Sequence, residues 1–187
     1  RLYYNGVLPD ETPVRVFMAV DPAFGGGDYC AGPVCVKYEN GDLFVPAVLY
    51  TNADKTVSHP MIVDLIRRYN VSAIQIEANK TIESFVEELE KRLIDNGIKI
   101  NVMSKPATSV NSKSERIFDK APDIRERMVF LEDGCRKKEY NMFMQNLFSF
   151  KILSKKKQHD DAPDSLAQAI EMDSLVSSKP KIFNRLW

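Results

Sequence analysis

Three aspartates, Asp160, Asp161 and Asp164, crowd the start of an apolar-striped segment in QHDDAPDSLAQAIEMDSL, residues 158–175. Carboxylates held that close repel one another. On a helix, Asp161 and Asp164 are three apart and share a face, as do Asp160 and Asp164, four apart. Two more acids stand where apolar runs end: Asp21 follows VRVFMAV, and Glu77 lies near the end of SAIQIEAN. Taken singly, each has an ordinary role. An Asp before a helix is an N-cap, an Asp after a strand is a turn residue, and a strand-end Glu is a solvated charge. Capping needs one carboxylate, however, not three. If the two strands are neighbours and the helix packs beside them, four or five carboxylates converge. Hard divalent cations that prefer oxygen, Mg²⁺ or Mn²⁺, offset such a cluster. Two of them about 3.5–4 Å apart can activate water and stabilise the leaving oxygen in phosphodiester hydrolysis.

The elements that must position these acids follow from hydrophobic patterning. Residues 14–20 are mostly apolar and predict a buried strand ending at Asp21, followed by the glycine-rich turn PAFGGGDY. CAGPVCVKYE and DLFVPAVLYT predict two more strands, and Asn40-Gly41 between them predicts a two-residue hairpin. Ile62, Leu65, Ile66 and Tyr69 recur at helical spacing over residues 56–69. SAIQIEAN is a short strand, TIESFVEELEKRLIDNG an amphipathic helix stopped at Gly97, and IKINVM another strand. SVNSKSERIFDKAP reads as a polar loop and short helix, MVFLED as a strand, and KKEYNMFMQNLFSF as a helix. Its aromatic stripe, Tyr140, Phe143, Phe148 and Phe150, reads as core. The last helix runs from near Asp161 to about Asp173. This order predicts an α/β fold whose mixed sheet is antiparallel at the hairpin and parallel after each crossover helix. Residues 1–175 read as one domain and 176–187 as a C-terminal tail or linker.

Bulk properties set outer bounds. With 187 residues and 44% hydrophobic content the chain can bury a sizeable core. Lys plus Arg and Asp plus Glu balance at 26 each, so only local patches can argue for nucleic acid. Cys30, Cys35 and Cys135 lack metal-ligand spacing and form no disulfide framework, which predicts a reducing compartment. Apolar runs are far too short for a membrane span, and no signal peptide is visible. The chain opens on Arg1 and enters mid-pattern, which predicts a piece of a longer protein.

Four segments together, MAVDPAFGGGDY, AIQIEANK, SKSERI and HDDAPDSLAQAI, resemble the nuclease domain of the large terminase subunit of tailed bacteriophages. The resemblance spans residues 14–172. It implies an RNase H-like mixed β-sheet flanked by helices, related to RuvC-type resolvases. It further implies a two-metal endodeoxyribonuclease that cuts concatemeric double-stranded viral DNA during genome packaging. Asp21 matches the acid on the fold's first strand and Glu77 the acid on its fourth. Asp161 matches the late metal ligand and Asp164 the second acid of the resolvase-like DAxDALA pattern. The doubled aspartate leaves Asp160 as the alternative to Asp161. Asp28 and His159 are candidates for the rim of the site. The same resemblance implies two Mg²⁺ or Mn²⁺ ions and a packaging ATPase domain before residue 1. It also implies a small terminase subunit and a portal as partners, in the cytoplasm of an infected bacterium. No G-x-x-x-x-G-K-[ST] is present, so Gly25, Gly26 and Gly27 are not read as a phosphate-cradling loop.

Bare carboxylates repel phosphate, so basic residues must offset them. Lys105, Lys113 and Arg116 around SKSERI, and Lys155, Lys156 and Lys157 before the last helix, are the candidates for DNA contact. Nothing resembles a base-reading helix, which predicts sequence-independent cutting. Two other functions fit the same residues: a RuvC-like junction resolvase or transposase-type nuclease, and a catalytically silent DNA-binding module of the packaging motor.

Overall fold

The computed structural model describes residues 2–23, 27–78, 83–106, 113–151 and 158–177. In chain order the elements are β1 (Tyr3–Tyr4), β2 (Arg15–Val20), β3 (Cys30–Lys37), β4 (Leu43–Thr51), α1 (Lys55–Tyr69), β5 (Ala73–Ala78) and α2 (Glu83–Asp95). There follow β6 (Asn101–Pro106), α3 (Lys113–Arg127), β7 (Met128–Leu131), a 3₁₀ turn (Asp133–Cys135), α4 (Lys138–Ser149) and α5 (Asp161–Ser177). The seven strands form one sheet in the order β1-β7-β4-β3-β2-β5-β6. Strand β3 runs antiparallel to both β2 and β4, while β5 joins β2, and β6 joins β5, in parallel. The expected mixed α/β sheet is therefore present. Among the described residues no helix is long and apolar enough to cross a membrane.

Strand β2 is covered on both faces, which is why it is apolar at every position from Val16 to Val20. Side chains alternate across a strand. Phe17 and Ala19 enter the core under α3, α4 and α5, while Met18 and Val20 enter the core under α1 and α2. The same alternation sends Ile74 and Ile76 of β5 toward α1 and α2. Asp21 continues the phase of Phe17 and Ala19, and Glu77 opposes that of Ile76. Both acids thus project on the α5 side, at the ends of two hydrogen-bonded parallel strands.

Close approach of β3 to β2 fixes where Asp21 emerges. Asp21 and Ala31 exchange backbone hydrogen bonds at 2.8 and 3.0 Å. Next to them, a Cβ on Gly32 would lie 2.5 Å from the carbonyl oxygen of Ala19. A backbone atom cannot rotate away as a side chain would. Gly32→Ala is expected to cost about 1–3 kcal/mol as an overpacking change, read as a lower urea midpoint with an unchanged m-value.

Several boundaries differ from the sequence-based expectation, each for a local reason. The β3–β4 connection is a three-residue loop, not a two-residue one. Gly41 N–H donates to Tyr38 O and Tyr38 N–H to Asp42 O, with Gly41 at φ +91°. Only the glycine of Asn40-Gly41 takes the left-handed conformation, as in a turn followed by a bulge. Strand β6 begins at Asn101 because Ile98 closes α2: its N–H reaches Leu93 O at 2.9 Å past Gly97, at φ +71°. The short helix expected around SKSERI is a 15-residue helix, α3, that continues through Pro122. The carbonyl that loses its donor there belongs to Phe118, which is exposed, so water can serve it. Of the aromatic stripe on α4, Tyr140 and Phe143 are core but Phe148 is exposed. Helix α5 extends to Ser177, and residues 178–187, expected as a tail, lie outside the described residues.

Candidate metal centre

Helix α5 is buried nearly all round over its first ten residues. Its small residues Ala162 and Ala169 and its larger Leu166 and Ile170 are fully buried in the core above β2 and β3. Its entry is clamped from α4: the Asn146 side chain accepts from Ala162 N–H at 2.9 Å and donates to His159 O at 2.8 Å. That early N–H, one of those a helix start leaves unpaired, is thus served by Asn146 rather than by an aspartate. Pro163 suits the first turn, where a missing N–H costs nothing.

With α5 so placed, Asp164 meets the two strand-end acids. One carboxylate oxygen from each of Asp21, Glu77 and Asp164 lies within 4.8 Å of the others, and all three residues are buried. Two basic side chains from the first turn of α3 reach into this cluster. Lys113 Nζ lies 2.9 Å from Asp21 Oδ2 and 3.3 Å from Asp164 Oδ2. The guanidinium of Arg116, itself only 9% exposed, grips both Glu77 and Asp164 through two oxygens each. Gln168, one turn beyond Asp164 on α5, donates to Glu77 at 2.8 Å and to Asp164 at 3.3 Å.

Burial dominates the protonation of Asp21 and Asp164. It pushes Asp21 up to about 7, with Asp164 and Glu77 adding to the rise and Lys113 opposing it. Asp164 is raised by burial as well, against Lys113 and Arg116. The site therefore resists holding three bare negative charges, and its two cationic side chains only partly relieve it.

The remaining acids of the doubled motif lie around this triad. Asp161 is buried one turn before Asp164. Its carboxylate accepts the backbone N–H of Tyr29, its Oδ2 has no hydrogen-bond partner among the described residues, and burial raises its pKa. Asp160 is half-buried at the helix entry, where its carbonyl accepts Asp164 N–H at 2.9 Å. His159 and Asp28 are exposed at the rim. His159 Nδ1 is 3.7 Å from Asp161 Oδ2 and 4.0 Å from Asp28 Oδ1. Asp160, Asp161 and Asp28 are not among the acids that converge within 4.8 Å.

The candidate DNA-contact residues divide. Lys113 is 45% exposed at its side chain and borders the acids. Arg116 is inside the cluster, not at the surface. Lys105 Nζ is 2.6 Å from Glu171 on α5, which ties β6 to that helix. Lys155, Lys156 and Lys157 lie outside the described residues. Sequence reasoning missed Gln168 and Asn146. Gln168 had a signal, its spacing of four from Asp164. Asn146 had none, since its partners are 13 and 16 residues away.

Three clustered, buried carboxylates, with Asp161 one turn away, are a donor set that fits a hard divalent cation. An antiparallel β2-β3-β4 unit continued in parallel by β5 and β6, with acids on β2, β5 and the last helix, defines an RNase H-like fold. The family model described as the terminase RNaseH-like domain matches residues 18–173, and the chain belongs to that family. No curated protein matches by sequence. Among solved structures, a mutant gp2c of the large terminase subunit from bacteriophage Sf6, with calcium, aligns at TM-score 0.59 and 10% identity, covering 84% of this chain and 88% of that one. The nuclease domain of the large terminase subunit gp2 of the same virus aligns at TM-score 0.54 and 10% identity, covering 87% and 88%. The fowlpox virus Holliday junction resolvase aligns at TM-score 0.53 and 15% identity, covering 86% and 99%.

Proposed function

We propose that this chain is the nuclease domain of a terminase large subunit, a divalent-metal-dependent endonuclease that hydrolyses both strands of concatemeric viral DNA during packaging. The observation that carries this reading is the convergence of Asp21, Glu77 and Asp164 in a chain of this family. These acids hold the cations, Mg²⁺ or Mn²⁺, and Asp161 supplies a further oxygen from the preceding turn of α5. When bound, such a pair lowers the pKa of water and offsets charge on the phosphate under attack. Gln168 and the two strands fix the carboxylates, so little reorganisation is left for the moment of reaction. Lys113, at the exposed side of the cluster, meets the incoming phosphate. In the infected cell the domain works beside a packaging ATPase, a small terminase subunit and a portal.

Supercoiled plasmid is the simplest substrate for the test. Cleavage is expected with Mn²⁺ or Mg²⁺, loss of cleavage on addition of EDTA, and recovery when excess metal is returned. Cutting that persists in EDTA, or no cutting with either ion, refutes the assignment. A four-way junction run beside linear duplex separates a terminase from a resolvase, since only the resolvase should prefer the junction.

A further inference from the structure

Arg116 occupies the acids that a cation needs. Its Nη1 is 2.9 Å from Glu77 Oε1 and its Nη2 is 2.9 Å from Glu77 Oε2. On the other side, Nε is 2.8 Å from Asp164 Oδ1 and Nη2 is 2.7 Å from Asp164 Oδ2. A carboxylate oxygen offers two lone-pair sites. Glu77 Oε2 receives Gln168 as well as Arg116, and Asp164 Oδ2 receives Gln168 and lies near Lys113 besides. Acceptor capacity on Glu77 and Asp164 is therefore largely spent on the chain's own donors.

We infer, resting on the nuclease reading above, that Arg116 is a resident counter-ion that competes with the divalent cation for Glu77 and Asp164 and passes to a DNA phosphate when the cation enters. Three arguments lead there. Arginine cannot yield its place by losing a proton, so it must move or keep its charge among the acids. Buried beside incoming dications, that charge would be repelled at close range in a poorly screened site. Its planar fork matches a phosphate as well as it matches a carboxylate, so DNA offers an exchange partner of the same geometry. Lys113 sits one helical turn before it, with an ammonium at the solvent side of the cluster, so the phosphate that Lys113 meets lies within reach of Arg116. Binding of metal and binding of DNA then favour each other, because each removes what the other must displace.

Calorimetric titration of Ca²⁺ into wild type and Arg116→Gln, with and without a short duplex, tests this. Wild type should bind Ca²⁺ about tenfold more tightly once DNA is saturating, within the usual range of coupled sites. The Arg116→Gln variant should bind Ca²⁺ about tenfold more tightly than wild type without DNA, and gain about twofold or less when DNA is added. A variant with wild-type circular dichroism that binds Ca²⁺ equally or more weakly overturns the proposal and makes Arg116 a fixed strut. A second readout uses wild type itself. The Arg116 Nε–H resonance, assigned by its loss in Arg116→Lys, should shift and exchange faster at saturating Ca²⁺; a resonance that stays put overturns the exchange even if Arg116→Gln does not fold. Wild type that neither takes up Ca²⁺ nor cuts DNA with Mn²⁺ removes the nuclease reading. Wild type that does both, beside a variant without tighter binding, removes only the role of Arg116.

Discussion

Asp21→Asn is expected to lower plasmid cleavage by about 10³-fold, the rate equivalent of the several kcal/mol a lost metal ligand withdraws from the transition state. The substitution keeps the shape of the side chain and replaces one charged oxygen with an amide. The fold should tolerate it, because the backbone exchange between Asp21 and Ala31 does not use the carboxylate. Stability should even rise at neutral pH. Burial moves the Asp21 carboxyl from 3.8 in an unhindered state to about 7 in the folded, metal-free chain. The folded state therefore binds more protons than the unfolded one across that window, and stability contributed by this group is lost as pH rises through it. Asparagine carries no such loss. In metal-free buffer the melting temperature of the variant minus that of wild type should be smallest near pH 4 and grow toward pH 7 to 8. A difference that shrinks with rising pH would mean that the Lys113 ion pair outweighs burial at Asp21. Cleavage at the wild-type rate with metal titrated would remove Asp21 from the site.

The positions of the acids were readable, but their direction was not. Val16 to Val20 are apolar at consecutive positions because β2 is buried on both faces, so that stretch shows no alternation to mark which face Asp21 inherits. Strand β5 held a better clue, since Gln75 and Glu77 share one side and Ile74 and Ile76 the other. The helical spacing of Asp161 and Asp164 placed both on one face of α5, yet the turn between them decides which is in the triad. That depends on how deeply α5 sinks between α3 and α4, a packing outcome no single stretch encodes. Helix α3 was obscured by its composition: KSERIFDKAPDIRER is dense in charge and interrupted by proline, and only Arg116, Ile117 and Ile124 are buried. An arginine in such a stretch reads as a surface cation by default. The burial of Arg116 becomes intelligible only once three acids from three distant elements are seen to meet beside it.

The far end of α5 carries a third buried acid, and Asp173→Ala is expected to destabilise the domain by about 3–5 kcal/mol, the cost of breaking a buried ion pair from one side. Lys37 Nζ contacts both oxygens of Asp173, at 2.8 and 3.0 Å, Arg127 Nη2 bonds one of them, and Arg15 Nη2 lies 3.7 Å away. Those three cations come from β3, α3 and β2, so one carboxylate ties α5 to the sheet and to its neighbouring helix. Removing it leaves partly buried positive charges facing one another without the anion that neutralises them. Burial alone would raise the Asp173 carboxyl, but hydrogen bonds from Lys37 and Arg127 hold it below the ordinary aspartate value. Its stabilisation is therefore complete above that value and fades as pH falls through the folded pKa. Urea unfolding at pH 7 should show the full gap between wild type and variant, and the gap should narrow on acidification below about pH 4. Asp173 stands nine residues beyond Asp164, about 13 Å along the helix. Divalent binding measured on the folded fraction should therefore match wild type. A variant whose metal affinity falls while its urea midpoint holds would show that this cluster serves the acidic site, not the anchoring of α5.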